Sequence, residues 1–375
     1  MDLDPLLLSR LQFAWLIAWH ILPRDEIQPL QERDIGRKLV PRWAHFVAAL
    51  MVAVGTLLSA FWILAANSWM QTPAGAVMED GLFYPVSWIE IIFNPSFPYR
   101  FAHTVVAFYV TTGFVVVGVA AHFLLRRRFV EEARAMLSAT LWLLTILVPV
   151  QILIGDMHGL NTLEHQPAKL AAIEANWETR TRAPLTLFAW PNEEAEINHL
   201  AIEVPLLGSL ILAHDVDGVV PGLKDFPRDE RPPVAIPFFA FRIMFGIGLL
   251  FLLMVAVGLW LRVRRRLYDS SYFLKACIVT APLGFVAVLA GWTMAETGRQ
   301  PWTVYGLLRT AESVTPSLTG LDVLLSLIGY MAAYLVIFPA GIFFMARVLR
   351  HGPADSNDTL PAAGGRPNVP VAQPE

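Results

Sequence analysis

Apolar residues along this chain come in long blocks rather than in alternation. Predominantly apolar stretches cover roughly 43–66, 101–125, 135–154, 237–261, 274–295 and 320–346. Each holds about 20 residues or more, enough for a helix to cross a hydrocarbon core of about 30 Å. The pattern predicts six membrane-spanning helices. A shorter block over 6–22 carries Arg10 and Gln12; it reads equally as a short span or as an amphipathic helix lying at the membrane surface. The predicted fold class is therefore all-α, a multi-pass transmembrane helix bundle with a large extracytoplasmic loop at about 155–236. Residues 1–349 form one membrane domain. The tail 350–375, with five prolines from His351 onward and no apolar periodicity, reads as a disordered cytoplasmic segment.

Charge sets the expected orientation. Arg24, Arg33, Arg37, Lys38 and Arg42 precede the first secure span. Arg126, Arg127, Arg128 and Arg134 lie in the next connection on that side, Arg262, Arg264, Arg265 and Arg266 in the next, and Arg347 and Arg350 after the last span. The intervening connections 67–100 and 296–319 hold only Arg100, Arg299 and Arg309. Basic residues in short loops stay on the cytoplasmic side, so the C-terminus is expected there and the 155–236 loop outside.

Composition narrows the class. Hydrophobic residues make up 55% and charged residues 16% of the chain, as expected of a membrane protein. A formal net charge of −3 argues against nucleic acid as a partner. The single cysteine, Cys277, excludes an intrachain disulfide and a four-cysteine iron–sulfur site. The acidic start MDLDP shows no cleavable signal pattern.

Ionisable groups inside a membrane cost about 2.5–3.5 kcal/mol each even on lenient scales, so each asks for a reason. His103 in "YRFAHTVVAFYV", Arg242 and Met244 in "FFAFRIMFGIG", and Glu296 in "GWTMAETGRQPW" lie near the outer ends of three different spans. His and Met form the axial pair of a low-spin electron-transfer haem, a carboxylate can ligate a second haem, and Arg242 and Arg299 can hold propionates. Plainer readings stand beside these: an interfacial histidine at His103, core packing at Met244, and a helix-end ion pair between Glu296 and Arg299 at i, i+3. His45 and His122, at cytoplasmic ends, read as interfacial histidines or as a bis-histidine site.

The motifs "LSRLQFAWLIAWH", "ANSWMQTP", "RFAHTVVAFYVTTG", "AKLAAIEANWET", "FFAFRIM" and "GWTMAETGRQPW" occur in that order. Together they resemble subunit I of cytochrome bd quinol oxidases, of the short external-loop, cyanide-insensitive type, over residues 1–20 and about 34–349. The resemblance implies that His103 and Met244 ligate a low-spin haem b, with Arg242 close by. It implies that Glu296, with Trp292 and Arg299 in the same motif, serves a high-spin pair of haem b and haem d, and that His20 is the other high-spin ligand. Lys169 and Glu174 match the quinol-binding residues; a carboxylate with a neighbouring ammonium can bind the hydroxyls and accept a proton. The implied partners are ubiquinol or menaquinol, membrane lipid, and the family's second membrane subunit, with small accessory subunits left open. The implied location is the bacterial inner membrane.

The sequence departs from the family between Ile21 and Arg42. Three prolines and nine charged residues stand there where the family continues its first helix and adds two more, which bring acidic residues to the oxygen-reducing haem. The leading expectation is a quinol:oxygen oxidoreductase subunit passing electrons from outer-face quinol through low-spin haem b to a high-spin pair that reduces oxygen to water. The alternatives are a quinol and haem b electron-transfer module without oxygen reduction, and a non-haem membrane scaffold or transporter.

Overall fold

A computed structural model describes residues 41–351, apart from Asp80 and Pro316. The segment 6–22 with His20, and the tail beyond His351, lie outside the described residues. Six helical segments among the described residues are long and apolar enough to cross a membrane: Phe46–Gln71, Phe97–Leu125, Val130–His165, Ala235–Val263, Ser271–Thr297 and Gly320–Arg350. They match the six predicted spans one for one.

The helices are α1 (Arg42–Gln71), α2 (Trp88–Ile92), α3 (Phe97–Leu125), α4 (Val130–His165), α5 (Pro167–Glu174), α6 (Leu207–Leu212), α7 (Ala235–Val263), α8 (Ser271–Thr280), α9 (Leu283–Thr297) and α10 (Gly320–His351). Short antiparallel pairs occupy the connections: β1 (Ala76–Glu79) with β2 (Leu82–Pro85), β3 (Arg180–Thr181) with β6 (Val219–Val220), β4 (Leu185–Asn192) with β5 (Ile197–Val204), and β7 (Trp302–Val304) with β8 (Leu308–Arg309). Two compact units divide inside α1, after Trp62. The described part of the first is an apolar helical stretch whose Trp43, Phe46, Met51 and Trp62 are exposed, a surface suited to hydrocarbon.

In the second unit the membrane core rests on helical stripes. Val110, Phe114, Val117 and Ala121 line one face of α3, and Leu137, Leu141, Leu144 and Val148 one face of α4. The spacing i, i+4, i+7, i+11 is that of one helix face. Phe114 stacks on Phe251 of α7 with ring centroids 3.7 Å apart. The span 274–295 is built as two pieces, α8 and α9, which break at Ala281 and Pro282 because proline brings no N–H to the helical ladder.

α4 runs to His165, eleven residues beyond the expected end at 154. Polar residues end the hydropathy signal there without ending the helix. Thr162 Oγ1 donates to His158 O at 2.9 Å, and Asn161 Nδ2 to Pro95 O at 3.2 Å. The connection to α7 therefore starts after His165. It opens with α5, whose residues Ala168 to Glu174 are all buried. Ala171 and Ala172 let this helix sink against its neighbours.

The β4–β5 hairpin is fixed onto the start of α7. Glu193 Oε1 accepts from Val234 N at 2.8 Å and from Ala235 N at 3.3 Å, satisfying N–H groups that a helix start otherwise leaves open. Glu196 is held by Arg228 and Arg231, each at 2.8 Å; the hydrogen bond from Arg231 is the largest influence keeping its carboxyl below the usual carboxylate range. Trp190 packs on Phe239 at 5.7 Å. Replacing Glu193 by Ala should lower thermal stability by about 1 kcal/mol, the worth of a helix cap, with Glu193→Gln losing less because its amide oxygen still accepts. Equal melting of Glu193→Ala and the parent protein would contradict the cap.

Candidate functional site

Where the first apolar run ends, α1 turns polar on one face. Asn67 and Gln71 stand one turn apart there, both buried. Asn67 Nδ2 donates to Glu296 Oε1 at 2.9 Å, and Arg299 Nη2 donates to Glu296 Oε2 at 2.7 Å. Arg100, in the first turn of α3, donates to Asn67 Oδ1. Gln71 Oε1 accepts from Lys169 Nζ at 2.9 Å and from Gln166 Nε2 at 3.0 Å, while its Nε2 donates to Ala295 O at 3.3 Å. Four elements thus bring Arg100, Arg299 and Lys169 around one carboxylate, Glu296.

This cluster carries more cation than anion, and part of it is unsatisfied. Arg100 Nε, Arg299 Nε and Arg299 Nη1 are buried without a hydrogen-bond partner. Buried donors left open are rare in folded proteins, and open guanidinium N–H groups suit a carboxylate or phosphate. Burial holds the Lys169 amine well below its usual range; Arg100 pushes the same way, Glu296 opposes, and Arg299 adds to the lowering.

Glu174 belongs to a second cluster. Its Oε2 accepts from Arg242 Nη2 at 2.8 Å, and its Oε1 is buried without a partner. Arg242 also donates to Ile173 O and, from Nη2 at 2.7 Å, to Thr186 O, and its guanidinium lies 3.8 Å from the Phe238 ring centroid. Lys169 and Glu174, expected as a neighbouring pair, therefore face different partners. Five residues along a helix turn a side chain by about 140°, which sends the two to different sides of α5. Arg242, expected to hold a propionate, is committed to Glu174 and two carbonyls.

The remaining predicted residues lie beside these clusters. His103 is one turn beyond Arg100. Gln151 Nε2 is 3.2 Å from each of its ring nitrogens, and His158 is 5.9 Å away between ring centroids. Gly155 abuts the ring: a Cβ there would lie 3.2 Å from His103 Cε1. Met244 meets Gly291 on α9, where a Cβ would lie 2.6 Å from the sulfur. Glycine at these two positions lets α4 and α9 approach the predicted ligands. Trp292 is 45% exposed and makes no hydrogen bond to the cluster. His20 lies outside the described residues. No group of three or more His, Cys, Asp or Glu is arranged to hold a bare metal ion among the described residues; an axial-ligand site needs only one or two protein donors.

Several participants were not singled out from sequence: Asn67, Gln71, Arg100, Gln151, His158 and Gln166. A signal for two of them was present, since Asn67 and Gln71 stand at i, i+4 within an apolar helix. An apolar groove of about 510 Å³ runs between the β4–β5 hairpin, α7 and α9, lined by Trp190, Phe239, Ile243, Ala290 and Thr293 among others.

Comparison with known proteins bears on this arrangement. The family model for cytochrome bd terminal oxidase subunit I matches residues 35–353. Cytochrome bd ubiquinol oxidase subunit 1 of Bacillus subtilis is 32% identical over 333 residues, 86% of this chain and 71% of that protein. Cytochrome bd-II ubiquinol oxidase subunit 1 of Escherichia coli is 29% identical over 394 residues, 87% of this chain and 76% of that protein. A chain in the structure of bd oxidase from Geobacillus thermodenitrificans superposes with a TM-score of 0.76 at 32% identity, covering 84% of this chain and 72% of that one. A family match across most of the length, joined to a helical fold shared with a solved relative, establishes that this chain belongs to the cytochrome bd terminal oxidase subunit I family.

Proposed function

We propose that this chain is the quinol-oxidising, haem-bearing subunit of a respiratory bd-type terminal oxidase in a bacterial inner membrane, with its C-terminus cytoplasmic. Its proposed partner is the family's second membrane subunit, with small accessory subunits left open. The observation that carries the reading is the cation surplus around Glu296. Open, buried guanidinium N–H groups on Arg100 and Arg299 fit the propionates of haem, and they have no role in a plain helix bundle. His103 and Met244 would hold a low-spin haem b, and Glu296 would ligate one of a high-spin pair, haem b and haem d. The haems, when bound, supply one-electron acceptance and the reduction of oxygen.

The chain's own residues do the rest. Gln151 Nε2, at 3.2 Å from each ring nitrogen, holds the His103 ring in place from α4. Asn67 and Arg299 hold the Glu296 carboxylate in one orientation. On the substrate side, oxidation of a quinol, ubiquinol or menaquinol, releases two electrons and two protons. The open Glu174 Oε1 can accept a hydroxyl hydrogen bond and its proton, while Arg242 keeps the other oxygen in place. Lys169, buried beside Gln71 and Gln166, offers a second polar contact. The groove along Trp190, Phe239 and Ile243 shelters the apolar part of the substrate from water.

Oxygen uptake driven by added quinol, together with a red-shifted chlorin band in the reduced-minus-oxidised spectrum, is the expected result for the purified complex. A haem b signal without either would leave only the electron-transfer reading. Met244→Leu should abolish the low-spin haem signal, and an unchanged signal would remove Met244 as a ligand. Arg242→Leu strands Glu174 as a buried charge, a change that costs about 3–5 kcal/mol; it should lower the melting temperature and raise KM for quinol. Lys169 adds a pH test. Because its folded pKa lies below the ordinary 10.5, the unfolded chain binds more protons between that depressed value and 10.5. Stability should therefore rise with pH across this window, and Lys169→Met should flatten the rise as pH approaches 10.5 from below in thermal unfolding.

A further inference from the structure

We propose that the two triple-arginine turns, Arg126–Arg128 and Arg264–Arg266, form a binding site for the phosphate-bearing headgroup of an anionic membrane phospholipid. The turns are built alike. After α3, Arg127 N donates to Leu124 O and Arg128 N to Phe123 O; after α7, Arg265 N donates to Arg262 O and Arg266 N to Leu261 O. Both are Schellman ends, in which the residue after the cap takes the left-handed conformation and is usually glycine. Here that residue is arginine in both cases, Arg127 at φ 52° and Arg265 at φ 56°. A side chain at this position costs free energy that glycine avoids. The chain accepts the cost twice, at equivalent places, and each time presents three consecutive exposed guanidinium groups, of which Arg128 also donates from Nη2 to Arg350 O at 3.4 Å.

The turns lie at one end of the bundle. Ala121, Leu261 and Leu267 belong to one buried cluster, against which Leu124 and Leu125 pack, and Arg134 lies over the ring of Tyr268 at 5.5 Å, which ties the segment after the first turn to the segment after the second. All six arginines are exposed, and none forms an ion pair among the described residues. Of the carboxylates nearby in sequence, Glu131 is taken by Arg134 at 3.4 Å; Glu132 and Asp269 are exposed and form no ion pair among the described residues. A balance of helix dipoles or of topology accounts for positive charge at these ends, yet a glycine between two arginines would serve either without strain. What the arrangement adds is several planar forks, each able to bind a phosphate through two N–H groups.

The occupant is set by location. Both turns terminate helices that span the membrane, so the phosphates they meet are those of the adjoining leaflet. Beside the second turn, Trp260 is 56% and Val263 82% exposed, and Arg264 lies over the Trp260 ring at 5.4 Å. An aromatic and an aliphatic side chain next to the arginines suit the upper part of an acyl chain. Several basic residues directly beside a membrane helix are the usual form of such sites.

The test uses the purified oxidase complex in lipid nanodiscs, made from phosphatidylcholine with or without phosphatidylglycerol, and native mass spectrometry to count retained phospholipid. The parent complex should retain phosphatidylglycerol over phosphatidylcholine, with retention falling as salt is raised. The double variant Arg127→Gly, Arg265→Gly should melt no lower than the parent, since glycine suits both positions, and should lose phosphatidylglycerol affinity about tenfold or more. Should that variant fail to fold, Arg126→Gln with Arg264→Gln leaves the left-handed positions untouched and should show the same loss. Unchanged retention in the folded variants would overturn the proposal. So would equal retention of the two lipids, or displacement of phosphatidylglycerol by millimolar inorganic phosphate, which would mark a site for a free anion.

Discussion

The region around Glu296 is organised by one electrostatic constraint: several basic groups are buried against a single carboxylate. Arg100, Arg299 and Lys169 converge on Glu296 from α3, the segment after α9, and α5, and α1 supplies the amides that connect them. Burying a charge is expensive unless it is paired and hydrogen-bonded. Asn67 and Gln71 reduce that cost by linking groups that would otherwise repel, yet guanidinium donors on Arg100 and Arg299 stay open. A bundle selected only for packing would have no use for open donors at this depth. An arrangement that waits for anionic groups has such a use, and the propionates of the proposed haems would supply them.

The same constraint explains the form of α5. It is only eight residues long, and all of them after Pro167 are buried. Its alanines permit close approach, while Lys169 and Glu174, on different sides, connect it to two separate clusters. One leads through Gln71 to α1 and the backbone of α9. The other leads through Arg242 to α7, the helix that also carries Met244. A substrate held beside this helix would thus be in hydrogen-bond communication with both predicted haem regions through a few rigid side chains.

Much of this was legible in the sequence, for identifiable reasons. Long apolar blocks have one solution in a bilayer, so the six spans followed directly. His103 and Glu296 stood out because ionisable groups inside a span are costly, and Met244 because it lies in one of the motifs that resemble the family. The pairing of side chains was not legible. The resemblance singles out Lys169 and Glu174 together, but their i, i+5 spacing on a helix turns them toward different partners. Asn67, Gln71 and Gln166 are uncharged and drew no notice, yet they join the charged groups. α4 runs on past the apolar block that ends at 154 because hydropathy detects contact with lipid, and His158, Asn161 and Thr162 are helical though polar.

The two ends of the bundle place arginine under opposite conditions. At the end that carries Glu296, Arg100, Arg299 and Arg242 are largely buried, and their geometry is set by the amides, carbonyls and carboxylates that hold them. At the other end Arg126–Arg128 and Arg264–Arg266 are exposed, and their geometry is set by the backbone of two matching helix ends. A buried guanidinium is selective because each donor left open must find a partner within a fixed cavity. An exposed cluster is attractive at longer range but is screened by salt. The first condition suits a cofactor acquired once and retained, and the second suits a ligand drawn from the surrounding membrane and exchanged with it. On this argument the buried arginines should tolerate lysine poorly, because a lysine cannot reproduce the fork that holds two partners at once, whereas the exposed turns draw much of their effect from charge alone.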